Sequence, residues 1–384
     1  MVAAANLAMR GVPVTVFEAS PTLSSESRAS TFHPPTLDML DKLGVADDLI
    51  KEGLKAPSVQ YRSKSFGAVA QFDFGDIADM TGHPYRLQSE QFKLTRIIQR
   101  HYQSNSNFQI EFNQAVNRVE QIDGGVRVQV EQPNGATIER TGRWLIGADG
   151  ARSAVRKSVG LEFEGFTWPE RFLVISTPFD FRSAYPDLAS VTYVADPRQW
   201  FFLLRIPGMW RAMVPVDSEL PDDVALSEAF ATRQLESIAP GAGQSAILHL
   251  TLYRVHQRVA SSFRRDRVFL AGDAAHINNP LGGMGMNGGI HDAFSLTNRL
   301  AGVWHSELDE NVLDGYDRER RLVTLEHVQK QTIENKRNLE AATDAEHRRY
   351  CEEMRETAAD AAKSREFLLR ISMIRSLERA AELG

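Results

Sequence analysis

Residues 267–293 read RVFLAGDAAHINNPLGGMGMNGGIHDA, and this stretch decides the fold. Its apolar run at 268–271 lies between a charge and a glycine, which is typical of a buried parallel strand that ends at Gly272 and Asp273. Five glycines follow between positions 282 and 289 and keep side chains away from the backbone. The stretch therefore predicts a strand, a glycine-rich loop that a large flat group can approach, and then a helix.

The start of the predicted helix favours an anion. The first backbone N–H groups of a helix have no partner within it and form the positive end of its dipole. A phosphate, or a ring that becomes anionic, is stabilised at such a position.

Two further motifs lie upstream. Residues 144–156 read WLIGADGARSAVR, and Arg28 stands in ESRAS at 26–30, before an apolar-periodic segment at 36–44. In residues and order, the three segments resemble the motifs of the aromatic-ring hydroxylases, the single-component FAD monooxygenases similar to 4-hydroxybenzoate hydroxylase. The resemblance spans roughly residues 12–316.

The resemblance implies an α/β fold in which a Rossmann-like FAD-binding domain is interleaved with a mainly antiparallel β-sheet substrate domain, followed by a helical C-terminal tail. Alternating apolar and polar residues predict strands from about 163 to 253, and Asn134-Gly135 predicts a hairpin. The expected division is 1–57, 88–162 and 254–312 for the FAD-binding domain, 58–87 and 163–253 for the substrate domain, and 313–384 for the C-terminal helices.

The family opens with a strand and Gly-x-Gly-x-x-Gly, whose glycines let the next helix reach the FAD pyrophosphate. Residues 1–11, MVAAANLAMRG, look like that helix, and residues 12–18 read as the second strand. The last fingerprint glycine would then stand just before Met1. We therefore expect an N-terminally truncated FAD-binding domain, from an internal start codon or a shortened gene.

The resemblance also implies a set of residues that bind the cofactor. Asp273 would accept a hydrogen bond from the ribityl chain, Glu18 would bind the adenosine ribose, and Arg28 would contact the adenosine diphosphate part. Asp149 would lie near the pyrophosphate and take part in NAD(P)H binding, and Gln91 would reach the flavin. The expected set is Glu18, Arg28, Gln91, Asp149, Asp273, Pro280, Gly283, Gly285, Met286 and Asn287. Other interpretations remain open, because Asp273 could cap a helix, Asp149 could belong to a turn, and Arg28 could form a surface salt bridge.

No motif marks a catalytic residue, so the catalytic residues are left unassigned. Candidates for the substrate pocket lie on the predicted sheet, where ordinary core aromatics are the alternative: Tyr193, Trp200 and Phe202, with Arg205 or Arg211 to bind a carboxylate. His83 and His256 are possible proton carriers, and His276 is expected to be structural. Arg156 could be a solvated helix residue. The spacing of histidines and cysteines offers no metal site.

Composition narrows the class of protein. The chain has 384 residues, too many for one compact core, and a net charge of −6, which gives no electrostatic case for binding nucleic acid or an anionic membrane. Cys351 is the single cysteine, so an internal disulfide is excluded and a reducing cytoplasm is favoured. No apolar run reaches the roughly 20 residues of a membrane span. The helical tail either covers the fold or forms a homodimer.

Three functions compete at this point. The first is FAD-dependent hydroxylation of a phenolic small molecule with NAD(P)H and O2. The second is another reaction on the same scaffold, namely an epoxidase, halogenase or reductase. The third is a truncated, non-catalytic remnant with impaired FAD binding, which the missing fingerprint suggests.

Overall fold

The computed structural model describes residues 1–26, 28–340 and 343–384. Over these residues the helices are α1 Val2–Met9, α2 Pro34–Lys42, α3 Ala46–Lys51, α4 Gln91–Tyr102, α5 Ala154–Ser158, α6 Asp222–Ala225, α7 Glu228–Ile238, α8 Met284–Trp304, α9 Val312–Val323, α10 Lys330–Glu340, α11 Asp344–Ala359, α12 Ala361–Ile371 and α13 Ile374–Leu383. Short 3-10 turns occupy Phe74–Ile77, Phe181–Ser183, Ala242–Gln244 and Gly272–Ala274, and a π-helical turn, Thr324–Gln329, joins α9 to α10.

The strands are β1 Val14–Glu18, β2 Thr31–Phe32, β3 Leu54–Ala56, β4 Ser58–Ser63, β5 Gly67–Asp73, β6 Arg86–Gln88, β7 Phe108–Phe112, β8 Ala115–Ile122, β9 Gly125–Glu131, β10 Thr137–Gly142, β11 Leu145–Gly147, β12 Phe163–Thr177, β13 Val191–Ala195, β14 Phe201–Ile206, β15 Met209–Val216, β16 His249–Ala260, β17 Arg264–Arg265, β18 Val268–Leu270 and β19 His276–Ile277. The predicted hairpin at Asn134-Gly135 is confirmed, since β9 and β10 pair antiparallel around it.

An eight-stranded sheet dominates the fold, in the order β19-β16-β12-β15-β14-β13-β4-β5. All its neighbouring strands are antiparallel except β13 and β4, which are parallel. A buried cluster packs against this sheet and includes Phe72, Phe172, Tyr193 and Trp200. The predicted α/β fold with a mainly antiparallel sheet is confirmed, and this sheet forms one wall of the site described below.

Two short pairs of parallel strands end near the site described below. β1 pairs with β7, and β11 pairs with β18. Within the described residues no strand joins the two pairs. The expected first strand and fingerprint stay a prediction, as do the domain boundaries. Buried Leu7, Phe269, Leu270 and Leu296 pack the helices against these strands.

The C-terminal helices cover the large sheet. Phe367 and Leu368 of α12 and Met354 of α11 are buried in the same cluster as Phe72 and Phe172. Cys351 is buried as well. The helical tail that the sequence predicts is therefore part of the core. None of the helices in the described part of the chain is long and apolar enough to cross a membrane.

Candidate active site

One long cleft of about 760 Å³ runs through the middle of the molecule, within the usual ~300–1,000 Å³ range for sites that bind small molecules. It is lined by the start of α1, by Arg28 to Thr31 and by residues 148, 150 and 151. Gly272, Asp273, the loop at 282–285 and side chains of β12–β16 complete its walls. The glycine-rich loop and the antiparallel sheet thus face the same space.

Asp273 stands where β18 ends, as the apolar run predicts. Gly272 before it has φ +60°, and a Cβ on Gly289 would lie 3.0 Å from the Gly272 Cα, so backbone packs directly on backbone here. The Asp273 side chain is exposed on the cleft wall. Surrounding protein still desolvates its carboxyl and raises its pKa, an effect that His276 and Arg28 partly oppose. Asp273 is therefore available to accept hydrogen bonds from a ligand in the cleft.

A buried ionic cluster holds the turn of Asp273 from behind. Asp292 of α8 accepts a hydrogen bond from the Gly272 N–H at 3.0 Å and lies 2.8 Å from both His276 Nε2 and Arg320 Nε. The side chains of Asp292, His276 and Arg320 are at most 1% exposed. Burial opposes ionisation of Asp292, but His276 and Arg320 outweigh it and lower its pKa. His276 is thus structural, as expected.

The glycine-rich loop is shaped by Asn287. Gly283 has φ +67° at the N-cap of α8, a conformation that favours glycine. The Asn287 amide donates to Thr31 O at 2.9 Å and to Gly283 O at 2.6 Å, and its oxygen accepts from the His33 N–H at 2.9 Å. This side chain is fully buried and does not line the cleft, whereas Pro280, Gly283, Gly285 and Met286 do. Asn287 therefore joins the loop to β2.

The other predicted cofactor residues divide into two groups. Arg28 and Gln91 line the cleft. Arg28 also pairs with exposed Glu26 at 2.7 Å, as the alternative interpretation expected. Glu18 and Asp149 do not line the cleft; Glu18 accepts from the Ser20 N–H at 2.9 Å at the end of β1.

Asp149 caps α5. Its carboxylate accepts from Ser153 Oγ at 2.5 Å and from the Val155 N–H at 3.0 Å, and its neighbours 148, 150 and 151 line the cleft. The expectation that Arg156 is solvated is wrong. Arg156 is buried, and its guanidinium donates to Ala274 O and Ala151 O, each at 2.8 Å. It ties α5 to the turn of Asp273.

Aromatic side chains close the sheet end of the cleft. Tyr193 stacks between Tyr61 and Phe202, with ring centroids 5.3 and 4.6 Å apart, and Tyr193 and Phe202 line the cleft. The Tyr193 hydroxyl accepts from the Gly282 N–H at 3.1 Å, which joins the sheet to the glycine-rich loop. Trp200 is instead buried in the core against Phe172.

The polar candidates for the substrate pocket also divide into residues that line the cleft and residues that do not. Arg211 lines the cleft and donates to Arg28 O and Ser30 Oγ, whereas Arg205 is not part of the cleft wall. His256 also lines the cleft, and its Nδ1 lies 2.8 Å from Thr167 Oγ1. Burial, followed by the charges of Arg258 and Arg254, lowers the pKa of His256. His83 lies outside the cleft and contacts Asp38.

Sequence reasoning missed several residues. Arg86 of β6 is buried and lines the cleft, but a lone arginine in a short strand carries no signal in the sequence. Asp292 and Arg320 lie 28 positions apart, so only the fold brings them together. Within the described residues no three histidine, cysteine or acidic side chains are grouped to hold a metal ion.

Comparison with known proteins decides what the cleft holds. The FAD-binding-domain family matches residues 1–331 of the chain. The chain belongs to the FAD-dependent aromatic hydroxylases. Para-nitrophenol 4-monooxygenase of Pseudomonas sp. (strain WBC-3) is 35% identical over 374 residues, which cover 96% of this chain and 92% of that protein. 6-Hydroxy-3-succinoylpyridine 3-monooxygenase HspB of Pseudomonas putida (strain DSM 28022 / S16) is 34% identical over 344 residues, 88% of this chain and 86% of that one.

Solved structures agree with this family. The crystal structure of p-nitrophenol 4-monooxygenase PnpA from Pseudomonas putida DLL-E4 has a TM-score of 0.91 and 32% identity, covering 99% of this chain and 94% of that one. Aklavinone-11 hydroxylase in complex with FAD and aklavinone has a TM-score of 0.77 and 26% identity, covering 88% of this chain and 66% of that one.

The hydroxylase therefore uses FAD, with NAD(P)H as the cosubstrate typical of its class. The residues that line the cleft suit this cofactor. Glycines at 272, 282, 283 and 285 leave backbone exposed along the cleft, and Asp273 offers a carboxylate free of protein partners. The α8 start supplies the positive end of a 21-residue helix beside them.

Proposed function

We propose that this hydroxylase adds one oxygen atom to a small, single-ring phenol. The observation that carries the proposal is the continuity of the cleft. The wall made by Asp273 and the glycine-rich loop passes without a break into the pocket lined by Tyr193, Phe202 and Met213. A flat aromatic substrate in that pocket would lie against the cofactor.

The proposed cofactor contacts follow from which residues face the cleft. Arg28 and the start of α1 lie at the end that suits the adenosine diphosphate part, and Asp273 lies at the ribityl chain. Gln91, Pro280, Gly283, Gly285 and Met286 would surround the flavin ring. Glu18, Asp149 and Asn287 do not line the cleft, so they would support cofactor binding indirectly, by holding the loops and helices that do line it.

FAD, when bound, accepts a hydride from NAD(P)H and activates O2 for transfer to the ring. The protein's own part is positioning and exclusion of water. The stack of Tyr61, Tyr193 and Phe202 gives the pocket a rigid aromatic wall, and the hydrogen bond from Gly282 fixes Tyr193 relative to the flavin-binding loop. His256 also lines the cleft, but burial, followed by two arginines, lowers its pKa and makes its imidazole a weaker proton acceptor.

The proposal is tested with protein to which FAD has been added. NADH or NADPH oxidation and O2 uptake are recorded with a panel of single-ring phenols, and products are analysed by mass spectrometry with isotopically labelled O2. We expect a phenol that accelerates both rates and gains one labelled oxygen. Oxidation of NAD(P)H without any oxygenated product from the whole panel would contradict the proposal and favour a reductase.

We also infer that the enzyme works in the cytoplasm and forms a homodimer. The single, buried Cys351 supports a reducing compartment. Exposed apolar side chains support a contact between copies: Trp304 at the end of α8, Leu308 just after it, and Leu325 in the π-helical turn. Sedimentation at several protein concentrations tests the dimer, and a concentration-independent monomer would contradict it.

A further inference from the structure

We propose that Arg86 binds an anionic oxygen attached to the aromatic ring of the substrate, and so selects ring compounds that carry a phenolate or a carboxylate. This inference rests on the proposed hydroxylation of a small aromatic molecule and names the chemical feature that the pocket recognises. Arg86 belongs to β6, in the small sheet β2-β6-β3, and lines the cleft.

The Arg86 guanidinium is buried but only partly satisfied. Its side chain is 2% exposed, its Nη2 donates to Ile371 O at 3.0 Å, and its guanidinium carbon lies 5.5 Å from the centre of the Phe74 ring. Its Nε is buried with no hydrogen-bond partner, and the hydrogen bond to Ile371 uses Nη2 alone. The guanidinium therefore keeps donor capacity that the described residues do not use, and arginine keeps its charge in proteins.

No described carboxylate neutralises this charge, since none of the ion pairs in the described ranges involves Arg86. Two titratable neighbours are neutral. Burial, followed by the Arg86 charge itself, holds the pKa of His33 well below its usual range, and burial raises the pKa of Tyr61. A buried cation without a counter-ion is costly, and an anion in the cleft would offset that cost.

The position of Arg86 favours the substrate over the cofactor's phosphates. Its contacts, Phe74 and Ile371, belong to the layers that cover the large sheet, and it lines the same cleft as Tyr193 and Phe202. In the cofactor arrangement proposed above, the phosphates lie instead beside Arg28 and the start of α1, which also line the cleft. A planar guanidinium with unused N–H groups matches an anionic oxygen of a phenolate or a carboxylate.

The test measures binding to the FAD-loaded protein without NAD(P)H, so that no turnover is needed. The probes are 4-nitrophenol and 4-nitrobenzoate, which are anionic in mildly alkaline buffer, and 4-nitroaniline, which has a similar shape and no charge. We expect Arg86→Gln to weaken binding of an anionic probe roughly 10- to 100-fold, the usual worth of a charge-assisted hydrogen bond. Binding of 4-nitroaniline should change less than about 2-fold, because its area of contact is kept.

Two matched variants complete the design. Arg86→Lys keeps the charge and should restore part of the anion binding. Arg205→Gln removes an arginine of the large sheet that does not line the cleft, and it should change nothing. A spectroscopic readout separates recognition from folding. In mildly acidic buffer, 4-nitrophenol bound to the wild type should keep the absorption band of its phenolate, and Arg86→Gln should lose that band.

Loss of phenolate binding alone would name a phenolate as the recognised group, and loss of benzoate binding alone would name a carboxylate; either supports the proposal. Equal weakening of all three probes would overturn it, as would a wild type that does not distinguish the anions from 4-nitroaniline. A fall in FAD affinity with unchanged probe binding would also overturn it, since Arg86 would then serve the cofactor. If charge selection holds but no phenol is oxygenated, only the proposed hydroxylation fails.

Discussion

Asp292→Asn should destabilise the protein and loosen the turn that presents Asp273. The buried carboxylate of Asp292 serves three partners: Gly272 N–H at 3.0 Å, His276 Nε2 at 2.8 Å and Arg320 Nε at 2.8 Å. An asparagine of the same size offers one acceptor oxygen and turns an N–H donor toward one of these donors. It also leaves Arg320 as a fully buried cation whose Nη1 and Nη2 already lack partners.

The magnitude follows from that uncompensated charge. Removing one member of a buried ion pair costs about 3–5 kcal/mol, a large share of the roughly 5–15 kcal/mol that stabilises a typical protein. The double variant Asp292→Asn with Arg320→Gln removes the charge as well as its partner. It should recover part of the loss, because the cost lies mainly in the stranded cation.

Urea unfolding followed by circular dichroism measures the effect, with FAD fluorescence recorded on the same samples. We expect the midpoint of Asp292→Asn to fall by about 1 M urea or more, and FAD to bind more weakly. The reasoning would be refuted if the urea midpoint of Asp292→Asn fell by less than about 0.2 M. It would also be refuted if the double variant were less stable than Asp292→Asn by about another 3–5 kcal/mol.

The same cluster predicts a dependence of stability on pH. Because the pKa of Asp292 is lower in the folded state, its contribution is present above the unfolded carboxyl value of about 3.9 and is lost as the pH falls below it. The wild type should therefore lose stability in acid more steeply than Asp292→Asn, when both are measured as thermal midpoints from neutral to acidic pH.

Three further changes separate cofactor binding from stability. Asp273→Asn should raise the thermal midpoint of the FAD-free protein at neutral pH. The pKa of this carboxyl is raised in the folded protein, so its charged form costs stability above pH ~3.9. FAD titration should show roughly 10- to 150-fold weaker binding, and unchanged FAD affinity would leave Asp273 no role in the cleft. Gly289→Ala places a Cβ 3.0 Å from the Gly272 Cα and should cost about 1–3 kcal/mol in urea unfolding together with FAD affinity, whereas full FAD binding would show that the two backbones can separate. Asp149→Ala should cost about 0.5–2 kcal/mol as a lost helix cap, and a fall in FAD affinity without any change in melting would contradict the capping role.

Local pattern was enough to predict the central features of the fold. The apolar run at 268–271 and the glycines after it predicted β18, the loop and α8, because a strand buried on both faces and a helix that starts at a left-handed glycine have a local signature. The resemblance added the residues of the cleft. Arg28, Gln91, Asp273, Pro280, Gly283, Gly285 and Met286 all line it.

The roles of individual side chains were less predictable. Trp200 and Phe202 were both candidates for the substrate pocket, but β14 begins only at Phe201, and Trp200 before it is buried in the core. Arg156 looked like a surface residue, yet it is buried by α5 packing against the turn of Asp273. Whether a polar residue is solvated depends on which element packs over it.

The sequence by itself determined the order of strands, loops and helices and the chemical character of the flavin-binding loop, because these depend on residues close together in the chain. Only the tertiary structure decided that Arg86 faces the cleft without a counter-ion, that Asp292 supports the turn of Asp273, and that Tyr193 bonds to Gly282. Each of these depends on side chains that come from distant elements. Burial and charge pairing depend on which side chains contact each other in the folded protein, and the spacing of residues along the chain does not predict those contacts.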